Sequence, residues 1–285
     1  FELFYELIVS CQVLYLQSWK YSGKMALTTR FYCFFSMILS TASLEWYGLH
    51  KIFSIAKDVG VSCLSLDLDR DIYDTLDTEY LLALSAESGV KIESIVAFER
   101  KMDSATVERI ITIAKDLSVH KIYFYPPHRL DKDVSWYEET LPQMAELHPE
   151  LSLAIANVEP KTFLFFIPEY RDATLQSIKK ITGHTALSIT HVDPESWVDL
   201  LRTLSLLGSS INNIFLSDRK GEKVDLYPGT GNAPIDRLMQ MLAEWGYKWD
   251  ITLRVSPKEL GAGNIEKVHE RIELMQSYVA KFFPK

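Results

Sequence analysis

Short apolar runs alternate with amphipathic segments along most of this chain, and this alternation constrains the fold more than any other feature. We predict eight strands, at 25–29, 61–68, 91–98, 121–126, 151–157, 186–190, 213–217 and 250–255. Nearly continuous apolar strands separated by amphipathic helices are typical of a parallel sheet covered by helices. Eight such units predict an α/β fold of the TIM type, a closed (β/α)8 barrel with parallel strands.

The segments between these strands carry apolar residues at helical spacing. We predict helices at 44–59, 78–88, 104–117, 135–147, 173–182, 195–207, 234–245 and 264–282. The string IAKD occurs twice, beginning at Ile55 and Ile113, which favours a repeated helix-plus-strand unit. An open doubly wound sheet is the alternative, but no strand is followed by the Gly-x-Gly-x-x-Gly turn that binds dinucleotides.

The first predicted strand places the barrel domain at residues 25–285 and leaves residues 1–24 as an N-terminal extension. The opening residues are apolar but include Glu2 and Glu6 and lack a basic start, which favours neither a leader nor a membrane span. The three cysteines are far apart and contain no Cys-x-x-Cys pair, so we expect neither a disulfide framework nor a thiolate zinc site. We therefore expect a cytoplasmic protein.

The composition narrows the choice of partner. With 285 residues, of which 47% are hydrophobic, the chain can bury a full core. A net charge of −8 without a run of basic residues disfavours nucleic acid as the partner. We expect a small sugar-like molecule, with no nucleic acid and no membrane, and a homo-oligomer stays open.

In a (β/α)8 barrel, ligands are contacted by residues at the carboxyl ends of the strands and in the turns that follow. Position alone therefore selects a group of candidates: Glu99 and Arg100 after the third strand, Tyr125 and His128 after the fourth, Asn157 and Glu159 after the fifth, Thr190 and His191 after the sixth, Ser217, Asp218 and Lys220 after the seventh, and Arg254 on the eighth.

The last third of the chain also carries a recognisable series of motifs. Ser217-Asp218 is followed by Pro228-Gly229-Thr230-Gly231, then by Ile235-Asp236 and Gly246-Tyr247, and finally by the apolar strand Ile251 to Val255. This series resembles the sugar phosphate isomerase/epimerase group of the xylose-isomerase-like TIM barrels. The resemblance implies a barrel that isomerises or epimerises a sugar-like compound, and it interprets the glycines as a shaped loop over the barrel mouth.

Members of that group usually hold one divalent metal ion with a Glu, an Asp, a His and a second Glu. By resemblance these positions fall on Ala156, on Thr190, on Asn213 or Phe215, and on Arg254. None is a good replacement ligand, and a cation at the last position would repel a metal ion. We therefore expect no metal cofactor, unless Mn²⁺, Mg²⁺ or Zn²⁺ binds a relocated site made of Glu159, His191, Asp193 and Asp218.

Two alternatives remain for Arg254. It can grip an anionic group with help from Arg100 or Lys220, or it can pair with an acid such as Glu99 or Glu159. For catalysis, Glu159, His191 and Glu99 are the candidate proton carriers. The alternative for His191, which position at a strand end favours slightly, is a residue that only satisfies hydrogen bonds.

The substrate-binding candidates are Asn157, Asp218, Lys220, Arg254, His128 and Arg100. A non-catalytic barrel that binds a ligand or serves as an interaction scaffold is the rival hypothesis. DNA repair is disfavoured, because the histidine-rich pattern of the related endonucleases is missing from the sequence.

Overall fold

The computed structural model describes residues 37–163, 166–192 and 197–283. Within these residues, eight parallel strands close into a barrel in which each strand pairs with the next and the eighth pairs with the first through Ile38 and Thr252. The strands are β1 (Ile38–Ser40), β2 (Cys63–Asp67), β3 (Lys91–Val96), β4 (Lys121–Phe124), β5 (Ser152–Ala156), β6 (His184–Ser188), β7 (Ile211–Leu216) and β8 (Asp250–Leu253).

Helices follow the strands along the chain. They are α1 (Leu49–Asp58), α2 (Thr78–Ser88), α3 (Ser104–Asp116), α4 (Leu141–Leu147), α5 (Leu175–Thr182), α6 (Trp197–Leu207), α7 (Ile235–Glu244) and α8 (Ile265–Phe282). A π-helical turn, Trp136–Thr140, precedes α4, and a short helix, Pro257–Leu260, follows β8. The prediction of a parallel (β/α)8 barrel is confirmed.

The first strand was predicted in the wrong place. Residues 25–29 lie outside the described residues, whereas the barrel takes Ile38–Ser40 as β1. Residues Ile38–Ser40 are fully buried between β2 and β8. A strand of only three residues is too short to show a periodic pattern, so the sequence did not distinguish it from the apolar residues that precede it. The predicted boundary between residues 24 and 25 also lies outside the described residues.

Two hairpins extend from the carboxyl ends of the barrel strands. Between β5 and α5, Thr162–Phe163 pairs with Ile167–Pro168, and after β7, Asp218–Lys220 pairs with Lys223–Leu226. We call them the β5 hairpin and the β7 hairpin. Both lie at the end of the barrel where ligands bind in this fold.

The barrel interior is filled by a small cluster of side chains, Val96, Tyr123, Ala154, Ala156, Ala186 and Phe215. The rings of Tyr123 and Phe215 meet edge to face, with centroids 5.6 Å apart. Alanine on β5 and β6 leaves room for these two rings, so Phe215 lies within the packed interior of the barrel.

At the amino-terminal end of the barrel, a largely buried ion pair links β4 to β8. Lys121 Nζ lies 2.8 Å from each carboxylate oxygen of Asp250 and 2.9 Å from Glu93 Oε1. Burial alone would lower the pKa of Lys121, but the charges of Asp250 and Glu93 outweigh it and raise that pKa. We assign this cluster a structural role, because it lies at the end opposite the ligand-binding loops.

Two observations bear on the expected environment. None of the helices in the described part of the chain has the length and apolar character needed to cross a membrane. Cys63 is fully buried and disulfide-bonded, which the cysteine spacing did not predict, and the other two cysteines lie outside the described residues.

Candidate functional site at the barrel mouth

An ion pair between Arg254 and Asp67 spans the mouth of the barrel. Arg254 follows β8 and donates from Nη1 to Oδ1 of Asp67, the last residue of β2. The other oxygen of Asp67 accepts from Ser40 Oγ at 2.6 Å and from the backbone N–H of Ala42 at 3.2 Å. A quarter of the Arg254 side chain is exposed, so solvent reaches this pair from the mouth.

The surroundings keep Arg254 charged. Burial alone would lower its pKa, but the nearby charges, chiefly Asp67, outweigh burial and raise it. The guanidinium carbon also lies 5.3 Å from the ring centroid of Phe215, within range of a cation–π interaction. Beside it, burial raises the pKa of Tyr125 to about 12, although the charge of Arg254 opposes that shift, so this phenol is neutral.

The four positions at which the resemblance places a metal ion do not fit one. Ala156 and Phe215 belong to the apolar interior of the barrel, and Arg254 has no acceptor atom. Thr190 is buried, and Asn213 uses its side-chain oxygen to accept from Thr252 Oγ1 at 2.9 Å. This donor set lacks the carboxylates and imidazole that bind divalent ions in such barrels.

The relocated metal site is not assembled among the described residues either. No group of three or more His, Cys, Asp or Glu side chains there is arranged to hold a metal ion, and Asp193 lies outside them. Asp218 is enclosed by backbone amides, and Glu159 pairs with Lys161 at 2.8 Å.

The glycine-rich loop after the β7 hairpin binds an anionic group of the same chain, the carboxylate of Asp218. Oδ1 of Asp218 accepts from the backbone N–H groups of Arg219 at 2.7 Å and Ala233 at 2.9 Å. Oδ2 accepts from the N–H groups of Gly229 at 2.9 Å and Gly231 at 2.8 Å. Asp218 is 1% exposed, so the side chain of this predicted substrate-binding residue stabilises the loop.

Close approach explains why Gly231 is a glycine. A Cβ atom there would lie 2.3 Å from the backbone oxygen of Arg219 and 2.4 Å from Oδ1 of Asp218. These distances are far shorter than any van der Waals contact, so the loop and the Asp218 carboxylate fit together only without a side chain at this position.

Asn157 joins β5 to β6 and orients His191. Its amide nitrogen donates to Ser188 O at 3.0 Å, and its amide oxygen accepts from Ser188 N at 2.6 Å. Its backbone oxygen accepts from Nδ1 of His191 at 3.2 Å, which leaves Nε2 as the acceptor of the neutral ring. Burial lowers the pKa of His191, although the charge of Asp225 opposes the shift, so the ring is neutral at neutral pH and can accept a proton.

Glu159 is paired with two cations. Its Oε2 lies 2.8 Å from Lys161 Nζ, and its Oε1 lies 3.6 Å from Nη2 of Arg219. Arg219 is buried and also donates to Thr190 O at 2.8 Å, whereas its neighbour Lys220 is exposed. Arg219 therefore contacts Glu159 and the backbone of Thr190, whereas the predicted substrate-binding role of Lys220 stays a prediction.

Glu99, Arg100 and His128 meet at the β5 hairpin, and the structure does not place them in contact with Arg254. Tyr170 donates from its hydroxyl to Glu99, and Arg100 Nη2 donates to Glu169 Oε1 at 2.9 Å. His128 Nε2 lies 3.4 Å from the same Glu169 oxygen. These three predicted residues therefore connect the loops after β3, β4 and β5.

Sequence reasoning missed three residues of the mouth, Asp67, Arg219 and Asp225. Asp67 ends a predicted buried strand, so the rule that selected the other candidates would have found it if it had been applied to the second strand. Asp225 gave no signal in the sequence, because it lies in the β7 hairpin, beyond the end of β7. Its Oδ1 accepts from Thr190 Oγ1 at 3.3 Å and from Ser217 Oγ at 3.5 Å.

No protein-family model and no curated protein matches this sequence. Solved structures are similar in fold. A D-tagatose 3-epimerase-like protein is 16% identical with a TM-score of 0.65, over 87% of this chain and 98% of that one. A 3-keto-D-glucoside 4-epimerase from E. coli is 12% identical with a TM-score of 0.64, over 86% of this chain and 99% of that one. A family 2 AP endonuclease from Brucella melitensis is 12% identical with a TM-score of 0.60, over 79% of this chain and 97% of that one.

These similarities establish the class of the fold. The chain is an eight-stranded parallel barrel of the kind found in xylose-isomerase-like sugar isomerases and epimerases, as the resemblance implied. Identities of 12% to 16% carry the fold alone.

Proposed function

We propose that the barrel mouth binds a small sugar or polyol-like compound without a divalent metal ion. The observation that carries this proposal is the Arg254–Asp67 pair beside Phe215, at the place where the resemblance puts the last metal ligand. A guanidinium has five N–H donors, and Arg254 uses Nη1 on Asp67, so its other donors can bind ligand oxygens. Two of the similar structures bear the names of sugar epimerases, which supports the ligand class.

The same residues support a second candidate, a metal-independent isomerase or epimerase. His191 is neutral and has its Nδ1 fixed by Asn157, so Nε2 can accept a proton beside a ligand carbonyl. Glu159 is a second proton carrier, and Arg254 can stabilise the oxyanion that develops. The specific observation in favour of this candidate is the 3.2 Å contact of His191 Nδ1 with the backbone oxygen of Asn157, which leaves Nε2 as the acceptor of the ring.

Binding is tested by isothermal titration calorimetry in EDTA against neutral ketoses, with D-tagatose and L-ribulose as first probes. We expect saturable binding that Arg254→Lys weakens at least about tenfold, because lysine keeps the charge but loses the planar fork. Arg237→Ala, an exposed change on α7, is the matched control and should bind normally. Binding that appears only after Mn²⁺ or Zn²⁺ is added would contradict the metal-free site.

Catalysis is tested separately by incubating bound ketoses in D₂O and following their C–H signals by NMR. The isomerase candidate predicts deuterium incorporation that His191→Gln abolishes while ketose binding persists. Binding without any exchange would leave a ligand-binding barrel and exclude proton transfer on these sugars.

A further inference from the structure

Asp225 has an unusual backbone conformation in the β7 hairpin. Its φ angle is +53°, in the left-handed region, and the pairing of the hairpin is irregular between Asp218 and Lys220. Such irregularities often re-aim a side chain beside a functional site. The backbone oxygen of Asp225 accepts from Ser256 N at 2.8 Å, which ties this conformation to the loop that follows β8.

The carboxylate of Asp225 differs from the other acids of the mouth in its partners. Asp67 pairs with Arg254, and Glu159 lies within 4 Å of Lys161 and Arg219. Asp218 accepts from backbone amides on both of its oxygens. Asp225 instead accepts through Oδ1 from the hydroxyl groups of Thr190 at 3.3 Å and Ser217 at 3.5 Å. Its Oδ2 therefore retains its capacity to accept hydrogen bonds.

Several mouth residues lie close enough to Asp225 for its charge to affect them. Asp225 acts to raise the pKa of His191, of Tyr125 and of Arg254, which come from three different strand ends. The charge of Asp225 therefore acts on side chains from three of the loops that surround the mouth.

We infer that Asp225 is a ligand-binding residue that accepts hydrogen bonds from the hydroxyl groups of an uncharged sugar-like ligand and disfavours ligands carrying a phosphate or carboxylate. This inference rests on the proposed function. Four cations, Arg100, Lys161, Arg219 and Arg254, lie within 4 Å of three carboxylates, those of Glu169, Glu159 and Asp67. Asp225 adds a fourth negative charge, so an incoming anion meets no excess of positive charge among these groups.

The experiment compares L-ribulose with L-ribulose 5-phosphate by isothermal titration calorimetry on the full chain. Wild-type protein should bind the neutral sugar at least about tenfold more tightly than its phosphate ester. Asp225→Asn keeps the shape of the side chain, and asparagine also tolerates a positive φ, so the fold should persist. This variant should weaken L-ribulose binding about tenfold and bring the two affinities within about threefold of each other.

Asp172→Asn is the matched control, because Asp172 is an exposed aspartate with a positive φ of 44°. It should leave both affinities at the wild-type values. A wild-type preference for the phosphate ester, or an unchanged ratio in Asp225→Asn, would overturn this inference while the proposed function stands. Failure of every neutral and phosphorylated sugar to bind would instead overturn the proposed function, and this inference with it.

Discussion

Replacing Asp218 by asparagine should destabilise the protein strongly, although the side chain hardly changes in size. One carboxylate oxygen becomes an NH₂ group, which turns two of the four accepted hydrogen bonds into donor–donor contacts. A hydrogen bond to a charged group contributes about 1.5–3 kcal/mol, so two of them amount to about 3–6 kcal/mol. Gly229 is exposed and water can replace part of this loss, so we expect a decrease of about 3 kcal/mol in the free energy of unfolding.

Urea unfolding followed by circular dichroism measures this change, and thermal unfolding should show a Tm lower by roughly 6–12 °C. Asp58→Asn is the control, because Asp58 is exposed at the end of α1 and makes only a 3.5 Å contact with Ser54. It should lie within about 0.5 kcal/mol of wild type. If Asp218→Asn also falls within about 1 kcal/mol, the carboxylate does not hold the loop and the argument is wrong.

Three further predictions follow from individual contacts. Gly231→Ala should cost more than about 2 kcal/mol in urea unfolding, because its Cβ would collide with the backbone of Arg219; wild-type stability would refute the clash. Lys121→Met should cost about 3–5 kcal/mol, because it leaves the largely buried Asp250 without its cation, and adding Asp250→Asn should recover part of the loss. His191 should titrate below its ordinary pKa of 6.5 when its ring protons are followed by NMR. The unfolded chain, with the ordinary pKa of 6.5, then binds the proton more readily than the folded chain. The stability contributed by His191 is therefore present above pH 6.5 and is lost as the pH falls through the lower folded pKa. His191→Gln should remove this dependence.

The barrel could be predicted from the sequence because its signals are local. β2 through β8 all overlap predicted strands, since each is a buried apolar run followed by a helix. β1 escaped prediction because Ile38–Ser40 is only three residues long and is preceded by other apolar residues. Its assignment depends on pairing with Leu64 and Thr252, which are distant in sequence.

The candidate site was predictable only as a set of positions. The rule of strand ends brought Arg254, Asn157 and His191 to the mouth, but it could not pair them with their partners. Arg254 and Asp67 are 187 residues apart, and the acids proposed for Arg254 from the sequence were Glu99 and Glu159. Similarly, Asp218 was placed near the mouth, but the loop that encloses its carboxylate could be recognised only from the fold.

The Arg254–Asp67 pair links the missing metal ligands to the charge balance of the mouth. A guanidinium buried to three quarters needs a counter-charge, and Asp67 provides it with an oxygen that Ser40 and Ala42 do not occupy. Once that pair is formed, a guanidinium occupies the place where the resemblance puts the last metal ligand, and it would repel a metal ion bound at that position. The remaining acids then differ in their roles: Asp218 holds a loop, Glu159 is neutralised by Lys161 and Arg219, and Asp225 alone among these three bonds only to hydroxyl groups. We therefore expect a mouth with this distribution of charge to favour ligands that offer hydroxyl groups, and the Asp225→Asn variant tests how they are recognised.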